Sequence, residues 1–280
     1  DTSVQVEMGA AQRTVVIGAR GFVGRAVADL VQARGGAVLR LTRDEIDLNS
    51  DSAADALAAR LQPKDCVVIA AVKVPCKTPD MVVSNLAMLA RIASALQRQP
   101  VDHVVYVSSD AVYADSDKPL TEDSFRGPDN LYGIMQVTRE LMLREVVPVS
   151  NLTFVRPTMI YGAADPHGGY GPNSFRRLAA EGRDITLFGE GEERRDHVLI
   201  DDVAEIIARI AFQRSTGAIN VASGNVHSFR AIAEKVVALH GNKVRVLGSK
   251  RNGPMPHGGY RPFDTSAIEQ AFPDMRMTQL

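Results

Sequence analysis

Five short runs rich in valine and isoleucine alternate with longer amphipathic stretches, and this alternation restricts the possible folds more than any other feature of the chain. The runs are "TVVIG" (14–18), "AVLRL" (37–41), "CVVIAA" (66–71), "HVVYVSS" (103–109) and "LTFVRP" (152–157). Their apolar character is largely continuous, as in strands buried on both faces. Between them, Phe22–Arg34, Ser52–Leu61, Pro79–Gln97 and Leu131–Val146 carry apolar residues at three- and four-residue spacing, which marks helices. Strands and helices in alternation, joined by right-handed crossovers, give a parallel sheet covered on both sides. The expected class is α/β, a Rossmann-type doubly wound parallel sheet.

Beyond Pro157 the pattern loosens. A Gly/Pro-rich stretch, "YGAADPHGGYGPN" (161–173), leads to a helix, a strand "ITLFGEG", a helix from Asp201, a strand "GAINVAS" and a helix over Phe229–His240. This predicts a dinucleotide-binding core over 13–160 and a smaller C-terminal substrate-binding lobe over 161–280, some of whose segments return to the core. Residues 1–12 are expected to be disordered or added to the natural chain, and their composition is not that of a secretory signal. A net charge of −1 gives no reason to expect nucleic acid or an anionic membrane as a partner. No apolar run approaches the roughly 20 residues that span a bilayer. Two cysteines, Cys66 and Cys76, make no disulfide framework and suit a reducing cytoplasm; no metal is expected.

"VVIGARGFVGRAV" sets Gly18, Gly21 and Gly24 between the first strand and the first helix, with Phe22 and Val23 opening the helix. A tight glycine turn lets a helix N-terminus present free N–H groups to a pyrophosphate. The second strand ends "LRLTRDEIDL", with Thr42 and Arg43 where NAD sites usually place an acid for the ribose 2′-hydroxyl. Arg20 and Arg43 together suit a 2′-phosphate, while Asp44 is close enough to serve as the acid. The cofactor is read as NADP or NAD, with the arginines favouring NADP.

"VVYVSSDAVYADSDKPLTEDSFRGPDNLYGIMQ" brings Ser108, Ser109 and Asp110 to a strand's carboxyl end and Tyr132 to the start of the next long helix. With "DL" (47–48), "AAVK" (70–73), Asn85, "VRPTMIYG", "RRDHVLIDDVA" and "INVASG", the chain resembles the extended short-chain dehydrogenase/reductase family over nearly its whole length. Within that family it is similar to the NAD(P)-dependent epimerases, dehydratases and 4-keto reductases of nucleotide sugars.

The resemblance implies Tyr132 as acid/base, with Ser109 holding the sugar oxygen. It implies cofactor contacts from Asp47, Leu48, Ala70, Ala71, Lys73, Asn85, Tyr132 and Pro157. Gln136 stands where the family has a lysine; it donates hydrogen bonds but no charge, so catalysis is weakened unless another cation such as Lys73 compensates, or the residue is itself a substitution. Asp110 is an acid or a loop cap, and Ala111 in place of a second acid argues against a dehydratase. For the nucleotide diphosphate the resemblance implies Asn173 and Arg195, with Arg194 an alternative and Arg251 and Arg261 competing for a second contact. His167 is a proton shuttle or a solvated loop residue, and Asp201 or Asp202 is read as a helix cap. Epimerase and 4-keto reductase share all these residues. The alternative is a non-catalytic NAD(P)-binding sensor or regulatory subunit. Dimerisation through helices 79–97 and 131–146 is implied by the same resemblance.

Overall fold

The computed structural model describes residues 12–280, so nearly all of the N-terminal segment singled out above lies outside the described residues. In chain order the regular elements begin β1 (Arg13–Ile17), α1 (Phe22–Ala33), β2 (Ala37–Leu41), α2 (Ala53–Arg60), β3 (Cys66–Ile69), α3 (Pro79–Arg98), β4 (His103–Val107), α4 (Leu131–Val146) and β5 (Leu152–Pro157). They continue with β6 (Met159–Tyr161), α5 (Pro172–Ala180), β7 (Ile185–Thr186), β8 (Arg194–Leu199), α6 (Ile200–Gln213), β9 (Gly217–Val221), β10 (Val226–Ser228), α7 (Phe229–Leu239), β11 (Val246–Leu247), β12 (Tyr260–Arg261) and α8 (Ser266–Ala271).

Two compact units divide the chain. The first takes the residues described up to Val112 together with Arg126–Arg156 and Val203–Ile219; the second takes Tyr113–Phe125, Pro157–Asp202 and Asn220–Leu280. The first unit is built on a six-stranded sheet in the order β2-β1-β3-β4-β5-β9. Strands β1 to β5 pair in parallel, in registers such as Val15↔Leu39, Val15↔Val67 and Val105↔Thr153. Helices cover the sheet because the strands are apolar on both faces. Val15, Ile17, Val67, Ile69, Val104 and Tyr106 pack with Leu57, Leu89, Ile92 and Leu143 in one core. The chain runs from β1 to β2 on one side and then crosses to β3 on the other. The order therefore reverses between β1 and β3, and a crevice opens at their carboxyl ends.

Helix starts follow the local chemistry. Thr78 caps α3 by accepting from Met81 N, with Pro79 in the first turn, and Asn130 caps α4 by accepting from Gly133 N at 2.9 Å. Asp201 and Asp202 are not caps: α6 begins at Ile200, so both lie inside its first turn, where an acid still complements the helix dipole.

The second unit differs most from expectation. It holds a small sheet, β10-β8-β12 with β6 also paired to β8, and a two-stranded piece, β7-β11. "ITLFGEG" contributes only the two residues of β7, because Gly189 and Gly191 turn the chain in left-handed conformation (φ 58 and 74). A core of Phe175, Ile185, Leu187, Phe229, Ile232 and Val236 supports these pieces. No described helix is long and apolar enough to cross a membrane.

A candidate dinucleotide and proton-transfer site

At the crevice between β1 and β3 the backbone itself sets the need for glycine. Gly18 sits at φ +88, and a Cβ there would lie 2.7 Å from Ala71 N. A Cβ on Gly24 would lie 2.1 Å from the Gly18 carbonyl oxygen, so the start of α1 presses directly on the turn. Gly21 closes the turn by donating to that same oxygen at 3.0 Å. The first turn of α1 carries no acid, which leaves its N–H groups and dipole open to an anion.

A cavity of about 270 Å³ continues from this loop, lined by Gly18, Arg20, Gly21, Thr42, Arg43, Asp47, Leu48, Ala70, Ala71 and Lys73, with Ile46, Leu57 and Met88 at its floor. Phe22 and Val23 are half-buried in α1 beside it. Arg20 and Arg43 are exposed at its rim, and Arg20 already pairs with Asp44 at 2.5 Å. Asp47 accepts from the Asn49 backbone and side chain, which hold its carboxyl below the usual range. Lys73 donates to Ser84 at 2.8 Å and Asn49 at 3.2 Å. Asn85, fully buried, spends its amide on the backbone of Lys73 and Met81, so it shapes the 70–73 wall from behind. Pro157 ends β5, buried, in the second unit.

The second cluster gathers at the carboxyl end of β4. A Cβ on Gly133 would meet the Ala111 carbonyl at 2.4 Å and Pro128 at 2.5 Å, so glycine lets α4 approach the 109–111 turn and brings Tyr132 beside Ser109. Ser109 Oγ accepts from Ala111 N at 3.1 Å, and Asp110 opens a buried turn of 3-10 helix. Gln136, buried, donates from Nε2 to the Tyr132 hydroxyl at 3.2 Å and accepts from the Tyr106 hydroxyl. Burial raises the Tyr132 phenol above its ordinary range. Hydrogen bonds from Gln136 and Ser109 pull it back, the Asp110 carboxylate pushes it further up, and Arg139 opposes that.

Behind this cluster, Glu140 is fully buried. It accepts from Ser108 Oγ at 2.6 Å, from Arg156 at 2.6 and 3.0 Å, and from Arg126 at 3.2 Å. The bonds lock α4 to β4 and β5, and so fix the helix that carries Tyr132.

In the second unit, Arg195 and Arg261 are cross-strand neighbours on β8 and β12, both buried. Arg195 lies 3.4 Å from Glu193; Arg261 reaches Asp115 and the Tyr113 carbonyl, each at 3.3 Å. Arg194 instead stacks over the Tyr260 ring at 4.2 Å. Asn173 donates to Asp165 and accepts from Gly162 N, bracing the Gly-rich loop on which His167 is exposed. Arg251 donates to the Phe188 carbonyl at 3.0 Å. Both cysteines are free and buried, and burial pushes the Cys66 thiol up to about 12, away from reactivity.

The model of the NAD-dependent epimerase/dehydratase family matches residues 14–222. The chain belongs to that family. Solved structures share its fold. A GDP-L-fucose synthetase from Naegleria fowleri bound to NADP superposes with a TM-score of 0.82 at 17% identity, covering 98% of this chain and 91% of that one. A UDP-glucose 4-epimerase from Thermus thermophilus in complex with NAD gives 0.78 at 22% identity, covering 92% of each chain. A UDP-N-acetylglucosamine 4-epimerase from Bacillus cereus gives 0.77 at 21%, covering 96% and 94%.

The nicotinamide dinucleotide that this epimerase/dehydratase family uses fits the residues present. Side chains are excluded at Gly18 and Gly24 by backbone contacts under 3 Å, and the cavity beyond them is walled by apolar groups with polar atoms at its rim. Within this family member, sequence reasoning missed Tyr106, Arg139, Glu140 and Arg156. The first two sit behind Tyr132, and the last two hold its helix. One signal was available: Gln136, Arg139 and Glu140 fall on one face of α4, at the spacing that also buries Leu143.

Proposed function

We propose that the protein is an NADPH-dependent reductase acting on a keto group, at C4 in the first instance, of a nucleotide-activated sugar. The observation that carries the direction of the reaction is the surroundings of Tyr132. Its hydroxyl is buried and Asp110 stands nearby, and both favour the neutral phenol; the hydrogen bond from Gln136 opposes them, but without the charge a lysine would bring. A neutral phenol gives its proton readily to a carbonyl oxygen that is gaining charge, and is a poor base toward an alcohol.

A nicotinamide held in the crevice would supply the hydride. The chain's own residues do the rest. The loop of Gly18, Gly21 and Gly24 receives the pyrophosphate at the start of α1. Arg43, and Arg20 once it exchanges Asp44, take the 2′-phosphate that distinguishes NADP. Ser109 holds the sugar oxygen by its hydroxyl, and Tyr132 gives that oxygen a proton. Adjacent buried guanidiniums on Arg195 and Arg261 support a diphosphate contact, because two forks side by side match its oxygens. Arg251 and Asn173 are further candidates for that contact. Exposed Val83, Ile134 and Leu141 on α3 and α4 support a homodimer through those helices.

One observation favours a second reading. Gln136 supplies no charge to the phenol, so a cofactor-binding sensor without turnover fits the same scaffold. Incubation with NADPH and a panel of 4-keto nucleotide sugars separates the cases. The proposal expects stoichiometric cofactor oxidation with the hydroxy-sugar as product. Interconversion of hydroxy-sugar epimers on bound NAD, with no net oxidation, would replace it with an epimerase; tight NADPH binding with no conversion would replace it with the sensor.

A further inference from the structure

Arg139 lies on α4 three residues beyond Gln136, with 1% of its surface exposed. Its Nη2 donates to the Ala71 carbonyl at 2.8 Å, on the wall of the dinucleotide cavity, and its Nη1 donates to the Tyr106 hydroxyl at 3.4 Å. The guanidinium carbon stands 5.6 Å from the centre of the Tyr106 ring. Among the described residues no carboxylate pairs with it; Glu140, next in sequence, is engaged by Arg156 and Arg126. A buried charge without a counter-ion is unfavourable for folding, so packing alone does not account for an arginine here.

Hydrogen-bond direction along the chain of contacts is forced. Arginine only donates, so the Tyr106 oxygen accepts from it and the one Tyr106 proton must go elsewhere. It goes to Gln136 Oε1. With its carbonyl occupied, the Gln136 amide has one orientation, and its NH2 faces the Tyr132 oxygen at 3.2 Å. We propose that Arg139 replaces the missing lysine as the source of positive potential at Tyr132, acting as a positioning residue through a one-way chain of donors from Arg139 to Tyr106, Gln136 and Tyr132. Each donor points toward the phenol oxygen, so charge developing there as the proton leaves is met by an aligned chain ending in a cation. Asp110 is the group that opposes it at Tyr132, and Glu140, neutralised by its arginines, faces Tyr106.

This inference rests on Tyr132 being the proton-transfer group, and its test needs neither cofactor nor sugar, so it can fail independently of the reductase reading. Difluorotyrosine, which ionises at lower pH than tyrosine, is placed at position 132 and its midpoint followed by fluorine NMR in the full chain. Arg139→Gln, which keeps a donor for the Ala71 carbonyl, is expected to raise the midpoint by about one pH unit, and Arg139→Lys to bring it back to within about half a unit of the parent. Tyr106→Phe breaks the chain by deleting one hydroxyl and is expected to raise the midpoint in the same direction by a smaller step. An unmoved midpoint in Arg139→Gln, with the thermal unfolding profile preserved, would overturn the assignment. If Arg139→Gln does not fold, Tyr106→Phe decides: no shift there would overturn it equally.

Discussion

Gly24 shows how narrow the tolerance is at single positions. Its would-be Cβ meets the Gly18 carbonyl at 2.1 Å, and that contact is backbone on both sides, so nothing can rotate away. Gly24→Ala is expected to destabilise the protein by about 1–3 kcal/mol and to weaken NADPH binding at least about tenfold, because the turn that faces the pyrophosphate must shift. Fluorescence titration with NADPH, beside urea unfolding, reads both. At the rim, Arg43→Ala is expected to weaken NADPH about tenfold while leaving NADH nearly unchanged, since only the 2′-phosphate is lost as a partner; a parallel titration of the two cofactors checks it. Their places at the turn and the cavity rim were legible in the sequence because glycine spacing and a missing acid each have a local physical meaning. Arg139 was not, because a charged residue in an amphipathic helix reads as solvated until the packing of β4 against α4 buries it. The link from Tyr106 to Gln136 joins residues 30 positions apart, and no periodicity encodes it; only the last link, Gln136 to Tyr132, has helical spacing.

At the scale of elements, α4 does two jobs with one face. Gln136 donates to the Tyr132 hydroxyl and Arg139 to Tyr106 behind it, while Glu140, the next residue, ties the helix to β4 and β5. Glu140→Ala removes the buried carboxylate that accepts from Ser108, Arg126 and Arg156 and is expected to cost about 3–5 kcal/mol in urea unfolding, an effect far above that of an exposed ion pair. In the second unit, β8 carries His197, 2% exposed, whose imidazole burial pushes down to about 4 from 6.5. A histidine depressed in the folded state stabilises fully above its unfolded pKa, and that contribution is lost as pH falls from 6.5 toward 4. The loss expected from His197 is on the order of 3 kcal/mol. Urea unfolding at stepped pH should show that slope, and His197→Phe should flatten it. Strands β1 to β5 and their helices were legible to within a residue or two because apolar runs and 3.6-residue spacing are strong local signals. The small second sheet was not. Strands such as β10 and β12 are two or three residues long, carry histidine, serine, tyrosine and arginine, and exist only because β8 lies between them.

The first unit sets its cavity where the sheet order reverses. The crossover from β2 to β3 opens the crevice, the glycines line it, and Ala71 at its wall accepts from Arg139 at the back of the second cluster. Apolar side chains left exposed on α3 and α4 predict association: Val83 is 66% exposed, and Ile134 and Leu141 46% each. Light scattering is expected to report a dimer, and Val83→Glu combined with Leu141→Glu a folded monomer. The role proposed for Tyr132 is that of an acid held neutral by burial and by Asp110. The measurement that tests it most directly is the pH dependence of single-turnover NADPH oxidation by a 4-keto nucleotide sugar. With Tyr132 as that acid, the rate is expected to be level through neutrality and to fall only as pH rises past the raised phenol ionisation. A rate that climbs with pH from neutrality would mark Tyr132 as a base and contradict it.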